Sequence, residues 1–246
     1  MRRICCLAAA LICFLAALAI SVDLLIQRLP HVELVEIPAV DYGTMDSQER
    51  AVFDAILAAA EAGEGTIQCP ELSAEEQREI ITHLGLYFGS MEGVSGLVTW
   101  WDGYAALDPG LFEQFAAQKA VIDARIDEAV SGLIDGSDRW LLWQISNYIA
   151  AKIEYTDGVR DTIDGLNGKG VCATYAMLFY KMATRAGIQA YLCYGYTGDV
   201  YHCWSAAELD GRLYYYDVTW YDSTVHDLRY LHSRSPWGRE CVRNRF

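Results

Sequence analysis

Cys172 closes the run Gly168-Lys169-Gly170-Val171-Cys172, a glycine-rich turn that leads into an apolar helical pattern. A cysteine at a helix N-terminus meets unpaired backbone N–H groups and the positive end of the macrodipole, which favour the nucleophilic thiolate. By itself, a cysteine in such a pattern is more often a small buried hydrophobe. The hairpin further on argues for chemistry. Asp210-Gly211 separates two strand-like runs and is a type I′ turn signal. Such a turn pairs Leu209 with Arg212, and counting back sets His202 opposite Thr219 and Trp204 opposite Asp217. Side chains alternate along a strand, so these four share one face. His202 and Asp217 are then diagonal neighbours, about 7–8 Å apart at the backbone. A carboxylate there orients an imidazole and stabilises its cation, which is what a general base working on a thiol needs.

The elements that must position these residues are legible in outline. Asp46-x-x-Glu49 and Ser73-x-x-Glu76 are capping-box signals. The first opens a helical face of Val52, Ala55, Ile56 and Ala59 that runs up to Gly63. The second opens a face of Ile80, Ile81, Leu84, Tyr87 and Phe88. Residues 89–110 read as irregular or a short strand, and 111–133 as a helix with a charged face. A helix beginning near Ser137-Asp138 carries the stripe Leu141, Leu142, Ile145, Tyr148, Ile149 and Ile153. A loop over 158–170 precedes the Cys172 helix, which Gly187 stops. Strand-like runs follow at 188–194, 201–209 and 212–220. Helices first and an antiparallel meander last predict an α+β fold.

Sequence spacing cannot bring Cys172 to the hairpin, but the order of motifs does resemble a known family. From about Trp140 to Tyr221 the chain reads Asn147-Tyr148-Ile149, Ile153-Glu154-Tyr155, Asn167 through Ala176 with the G-x-G-V-C element, Ala186-Gly187-Ile188, His202-Cys203-Trp204-Ser205, and Tyr216-Asp217-Val218-Thr219-Trp220. In that order these elements resemble the transglutaminase-like superfamily, over about a third of the chain. The resemblance implies a papain-like core with a helix-borne cysteine packed on an antiparallel sheet. It implies Cys172 as nucleophile, His202 as its base and acid, and Asp217 as the orienting carboxylate. Ser205 departs from the asparagine common after H-x-W in the family, although a hydroxyl can still bond the backbone. Candidates for the oxyanion site or substrate groove are Tyr155, Asn167 and Trp204, with the Cys172 backbone N–H as a further donor.

Composition narrows the function classes. The 246 residues carry 33 Asp plus Glu against 19 Lys plus Arg, a net charge of −14, which excludes a protein built to neutralise nucleic-acid phosphates. The acidity is concentrated in residues 31–138, with 21 acidic and 4 basic side chains, whereas 139–246 hold 11 and 12. The last eighteen residues, with five arginines, read as a basic tail. Arg2-Arg3 precede an uncharged apolar run from Ile4 to Val22, long enough for a helix of about 28 Å. Its positive flank puts the rest of the chain outside the cytoplasm, either anchored by this helix or released after cleavage at an A-x-A-like site. The expected division is therefore a signal peptide or signal anchor over 1–29, an acidic, mainly helical region over 30–136 that begins with an extended linker, and the catalytic core over 137–246.

Outside the leader lie Cys69, Cys172, Cys193, Cys203 and Cys241, an odd number that flags one unpaired thiol. Cys193 and Cys203 are symmetric about Gly198, which makes them a candidate cross-strand disulfide. No cysteine spacing suits zinc, and Asp157, Asp161 and Asp164 miss the calcium-loop pattern, so neither metal nor cofactor is expected. His31, His83, His226 and His232 have no evident carboxylate or cysteine partner and are assigned solvated or core roles. The expected function is that of an exported cysteine enzyme forming a Cys172 thioester with a peptide or glutamine acyl group. It would pass that group to water or an amine, with a protein or cell-wall peptide as partner and the membrane reached through the leader. The alternatives are a catalytically silent binding module of the same fold, or a scaffold whose acidic region does the binding.

Overall fold

The computed structural model describes residues 29–34, 45–197 and 199–237, with the backbone of 240–243. The leader and most of the linker lie outside these residues. Among the described residues no helix is long and apolar enough to cross a membrane.

Two capping boxes start the first two helices, as their sequences require. Asp46 and Glu49 exchange bonds at the head of α1 (Ser47–Glu61), and Ser73 and Glu76 do the same at the head of α2 (Ala74–Phe88). Between and after them lies a three-stranded antiparallel sheet in the order β1-β3-β2, formed by β1 (Thr66–Gln68), β2 (Val98–Trp101) and β3 (Tyr104–Leu107). The acidic region thus carries a small sheet beside its helices. These strands are three or four residues long, too short for alternation to announce them. Phe53, Ile56, Ile80, Leu84, Leu97 and Ala105 fill a core of their own here.

α3 (Pro109–Ser131), capped by Asp108, is 23 residues long, about 34 Å. Phe112 and Phe115 on its first turns belong to the N-terminal core, while Ile122, Ile126 and Val130 belong to a second, larger core. That second core lies between α4 (Asp138–Lys152), α6 (Cys172–Arg185) and one face of the C-terminal sheet. Residues 30–34 run extended beside 133–135, where Val32 donates to the Leu133 carbonyl at 3.1 Å and Asp135 donates to that of Pro30 at 2.8 Å. The segment 158–170, expected as plain loop, contains α5 (Thr162–Leu166) and β5 (Lys169–Gly170), which pairs in parallel with β4 (Glu154–Tyr155) just before it.

The sheet that positions the site has the order β8-β7-β6-β9, from β6 (Ala190–Thr197), β7 (Val200–Leu209), β8 (Arg212–Tyr216) and β9 (Glu240–Arg243). Asp210 and Gly211 take φ of 51° and 69°, the positive values a type I′ turn demands. β7 and β8 pair from Leu209↔Arg212 to Ser205↔Tyr216, the register read from the turn. The third strand ends earlier than its alternation suggested. Asp217 instead caps a short helix, α7 (Val218–Ser223), so Thr219 is helical and has no strand partner. Part of the expected basic tail is also strand, since β9 pairs with β6 through Gly195↔Cys241.

Two of the four histidines expected to lack a carboxylate partner have one. Glu79, one turn before buried His83, lies 3.7 Å from its ring, and Asp222 lies 3.8 Å from His226. Helical spacing of four residues gives His83 its carboxylate partner, whereas His226 reaches Asp222 from the turn that follows α7.

Candidate active site

The position of Cys172 follows from two small residues and a threonine. Gly168 takes φ of 95°, which turns the chain back along β4. Gly170 is buried so tightly against Thr174 that a β-carbon would lie 2.5 Å from the threonine Cβ. Thr174 accepts from the Val171 N–H at 3.3 Å and donates to the Val159 carbonyl at 3.2 Å, tying the entry of α6 to the preceding loop. Cys172 is therefore presented as the first residue of a fourteen-residue helix.

His202 comes from the part of β7 that extends beyond β8, and Asp217 from the residue directly after β8. His202 Nε2 lies 2.9 Å from Asp217 Oδ2. The other carboxylate oxygen accepts the Trp220 N–H at 2.9 Å, and Asp217 donates its own N–H to the Tyr230 carbonyl at 2.8 Å. Asp217 is fully buried and cannot swing away from the imidazole. The indoles of Trp204 and Trp220 lie 6.0 and 5.8 Å from the His202 ring centroid and hold it in plane. With Nε2 engaged by Asp217, Nδ1 is the nitrogen left for the hydrogen bond that joins His202 to Cys172.

The electrostatics follow from this contact. A hydrogen bond from the Cys203 side chain, then the His202 hydrogen bond and charge, outweigh burial and bring the Cys172 thiol down to about 4. Burial opposes a charged imidazole, but the hydrogen bonds to Asp217 and Cys172 and their negative charges prevail, lifting His202 to about 9. At neutral pH the pair is a thiolate beside an imidazolium.

The remaining candidates divide. Tyr155 on β4 is half exposed beside the sulfur, with its phenol pushed up by burial and then by the charges of Cys172 and Asp157. Trp204 is buried under His202 with Cys193, Tyr191 and Ala206, so it supports the site and does not line a groove. Asn167 is engaged elsewhere, since its amide oxygen accepts from Arg125 on α3 at 2.8 Å. Ser205 donates to the Ala176 carbonyl at 3.1 Å, the backbone bond foreseen for a hydroxyl in that place. Sequence reasoning missed Tyr201, half exposed near the thiolate, and Cys203, whose backbone N–H also reaches the Cys172 sulfur. The Cys193–Cys203 disulfide is absent. Cys193 pairs with Trp204 and Tyr194 with Cys203, so the two thiols lie on opposite faces and are not bonded to each other. Among the described residues no cluster of potential metal ligands occurs.

Residues 137–221 match the family model of the transglutaminase-like superfamily, the family whose motif order the chain resembles. No curated protein matches the chain. Among solved structures, it is similar to a protein from Cytophaga hutchinsonii provisionally named a cysteine protease, at 20% identity and a TM-score of 0.35, covering 42% of this chain and 38% of that one. It is also similar to a structure named as a TGase, at 16% identity and a TM-score of 0.33, covering 71% and 48% respectively. A third, provisionally named a protease, is from Parabacteroides distasonis, at 16% identity and a TM-score of 0.34, covering 51% and 30%. The chain spans less than half the length of each of these structures.

Proposed function

We propose that the protein is a cysteine enzyme that transfers acyl groups through a thioester on Cys172. The observation that carries this reading is the contact of one ionised thiol with an imidazolium held by a fully buried carboxylate. In the first half-reaction the Cys172 sulfur attacks the carbonyl carbon of a peptide bond or a glutamine carboxamide. The carbonyl oxygen gains negative charge, which the N–H groups at the start of α6 are placed to stabilise. Collapse expels the amine or ammonia, which leaves with the proton given up by His202. In the second half, neutral His202 takes a proton from water or an incoming amine as it attacks the thioester, and the thiolate is released. Asp217 keeps the imidazole oriented in both halves and is not itself protonated. Tyr155 and Tyr201 flank the sulfur and form the approach for the substrate chain.

The apolar run after Arg2-Arg3 supports export, with a protein or cell-wall peptide met outside the membrane as the substrate class. The test is in two stages on the purified full-length chain. Iodoacetamide at pH 6 should label Cys172 faster than any other cysteine. Incubation with glutamine-containing peptides should then leave a hydroxylamine-sensitive acyl mass on Cys172. Slow labelling, or fast labelling with no acyl adduct from any peptide, would favour a silent binding module of the same fold.

A further inference from the structure

α6 and β7 run side by side in the same direction, because the chain reverses after Gly187 and again between β6 and β7. One buried hydrogen bond fixes their register, that from Ser205 Oγ to the Ala176 carbonyl at 3.1 Å. One turn back along the helix from Ala176, about 6 Å, is Cys172. Two residues back along the strand from Ser205, about 6.6 Å and on the same face, is Cys203. The two steps match, and the thiols meet, with a side-chain hydrogen bond joining them. Cys203 packs towards the core beneath α6, whereas Cys193 faces the other side of the sheet and Cys69 belongs to the N-terminal core. Both Cys172 and Cys203 are partly accessible to solvent.

Acyl transfer uses one sulfur, so the second thiol is surplus to the chemistry proposed above. A partly accessible thiolate in contact with a protonated thiol is the composition of a peroxide-reactive pair. We propose that Cys172 and Cys203 form a reversible oxidation site in which hydrogen peroxide converts the nucleophile to a Cys172–Cys203 disulfide. The Cys172 thiolate attacks one peroxide oxygen and the O–O bond breaks. This gives the sulfenic acid, and the departing hydroxide takes a proton to leave as water. Cys203 then gives up its proton and attacks the Cys172 sulfur. The S–S bond forms, the S–O bond breaks, and the hydroxide leaves as a second water. Two thiols are oxidised and one peroxide is reduced, and a dithiol returns both sulfurs to the reduced state. The order of events is built in. The hydrogen bond to Cys172 and burial hold the Cys203 thiol well above its usual range, and the first of these influences disappears once Cys172 is a neutral sulfenic acid.

The inference rests on the same ionised Cys172 as the acyl-transfer reading but needs no acyl chemistry. The test treats the full-length chain with one equivalent of hydrogen peroxide at pH 7, after its alkylation rate at pH 6 has been recorded. Peptide mapping without reductant should then give a linked Cys172–Cys203 pair, and dithiothreitol should restore at least nine-tenths of the original labelling. In Cys203→Ser and Cys203→Ala the same dose should carry Cys172 to sulfinic acid, with recovery at least fivefold lower. Irreversible oxidation of Cys172 in the parent chain, or equal recovery in the variants, would overturn the pair. Parent mapping decides the matter alone if both variants misfold. Because labelling at pH 6 is read before peroxide is added, loss of the nucleophile and loss of the pair give different results.

Discussion

Asp217 holds His202 with one carboxylate oxygen at 2.9 Å and caps a helix with the other, also at 2.9 Å. One side chain is therefore placed for both the proposed chemistry and local folding, and substitutions separate the two duties. Asparagine is as good an N-cap as aspartate but carries no charge to support an imidazolium. Asp217→Asn should melt within a few degrees of the parent yet lose about 10²–10⁴-fold in thioester formation. Asp217→Ala should lose the same activity and about 1 kcal/mol of stability besides. Thermal melts and acylation rates on the two variants check both halves.

The pH dependence follows from the two shifted groups. Cys172 is lowered, so its charged form is present above about pH 4, and His202 is raised, so its charged form persists up to about pH 9. Acylation needs both ions, and its rate should form a plateau between those limits and fall on either side. Alkylation of Cys172 needs only the thiolate, so it should keep the acidic limb and lose the basic one. His202→Ala removes a hydrogen bond and a positive charge from the thiolate, so labelling at pH 6 should fall on the order of tenfold or more. A parent labelling rate that climbs only above pH 8 would contradict this assignment.

Gly170 tests how the nucleophile is aimed. A methyl group there would overlap Thr174 at 2.5–2.8 Å, and neither backbone nor β-branched side chain can yield cheaply. Gly170→Ala should cost about 1–3 kcal/mol and displace the first turn of α6, with slower labelling of Cys172. Adding Thr174→Gly removes the Cβ, methyl and hydroxyl that the new group strikes. The double variant should recover part of the lost labelling, although it forfeits the bond to the Val159 carbonyl. Denaturant midpoints and labelling rates of the single and double variants provide the check.

The hairpin and triad spacing were legible because Asp210-Gly211 fixes a register from which every later pairing can be counted. That count reached Tyr216 correctly and failed one residue later. Val218 and Trp220 continue the apolar alternation, while the capping bond that Asp217 accepts from the Trp220 N–H, which ends the strand, leaves no mark on that pattern. The neighbouring β6–β7 turn has no such signal. Centring it on Gly198 put Cys203 opposite Cys193, one residue from its true partner Tyr194. A shift of one residue exchanges the faces of a strand, and so it put Cys193 on the face of Cys203 when it lies on the other. The contact of Cys172 with His202 was reachable only through the family resemblance, because it depends on how a helix and a sheet pack and not on any local period.

The helix α3 carries a consequence for how the molecule comes apart. Phe112 and Phe115 sit in one core and Ile122, Ile126 and Val130 in the other. A helix is costly to nucleate and gains its stability in a protein chiefly from the apolar face it buries. Melting either core would strip half of that face and leave the remaining turns without enough burial to persist. The two halves should thus share one cooperative transition, a single calorimetric peak, despite having separate interiors.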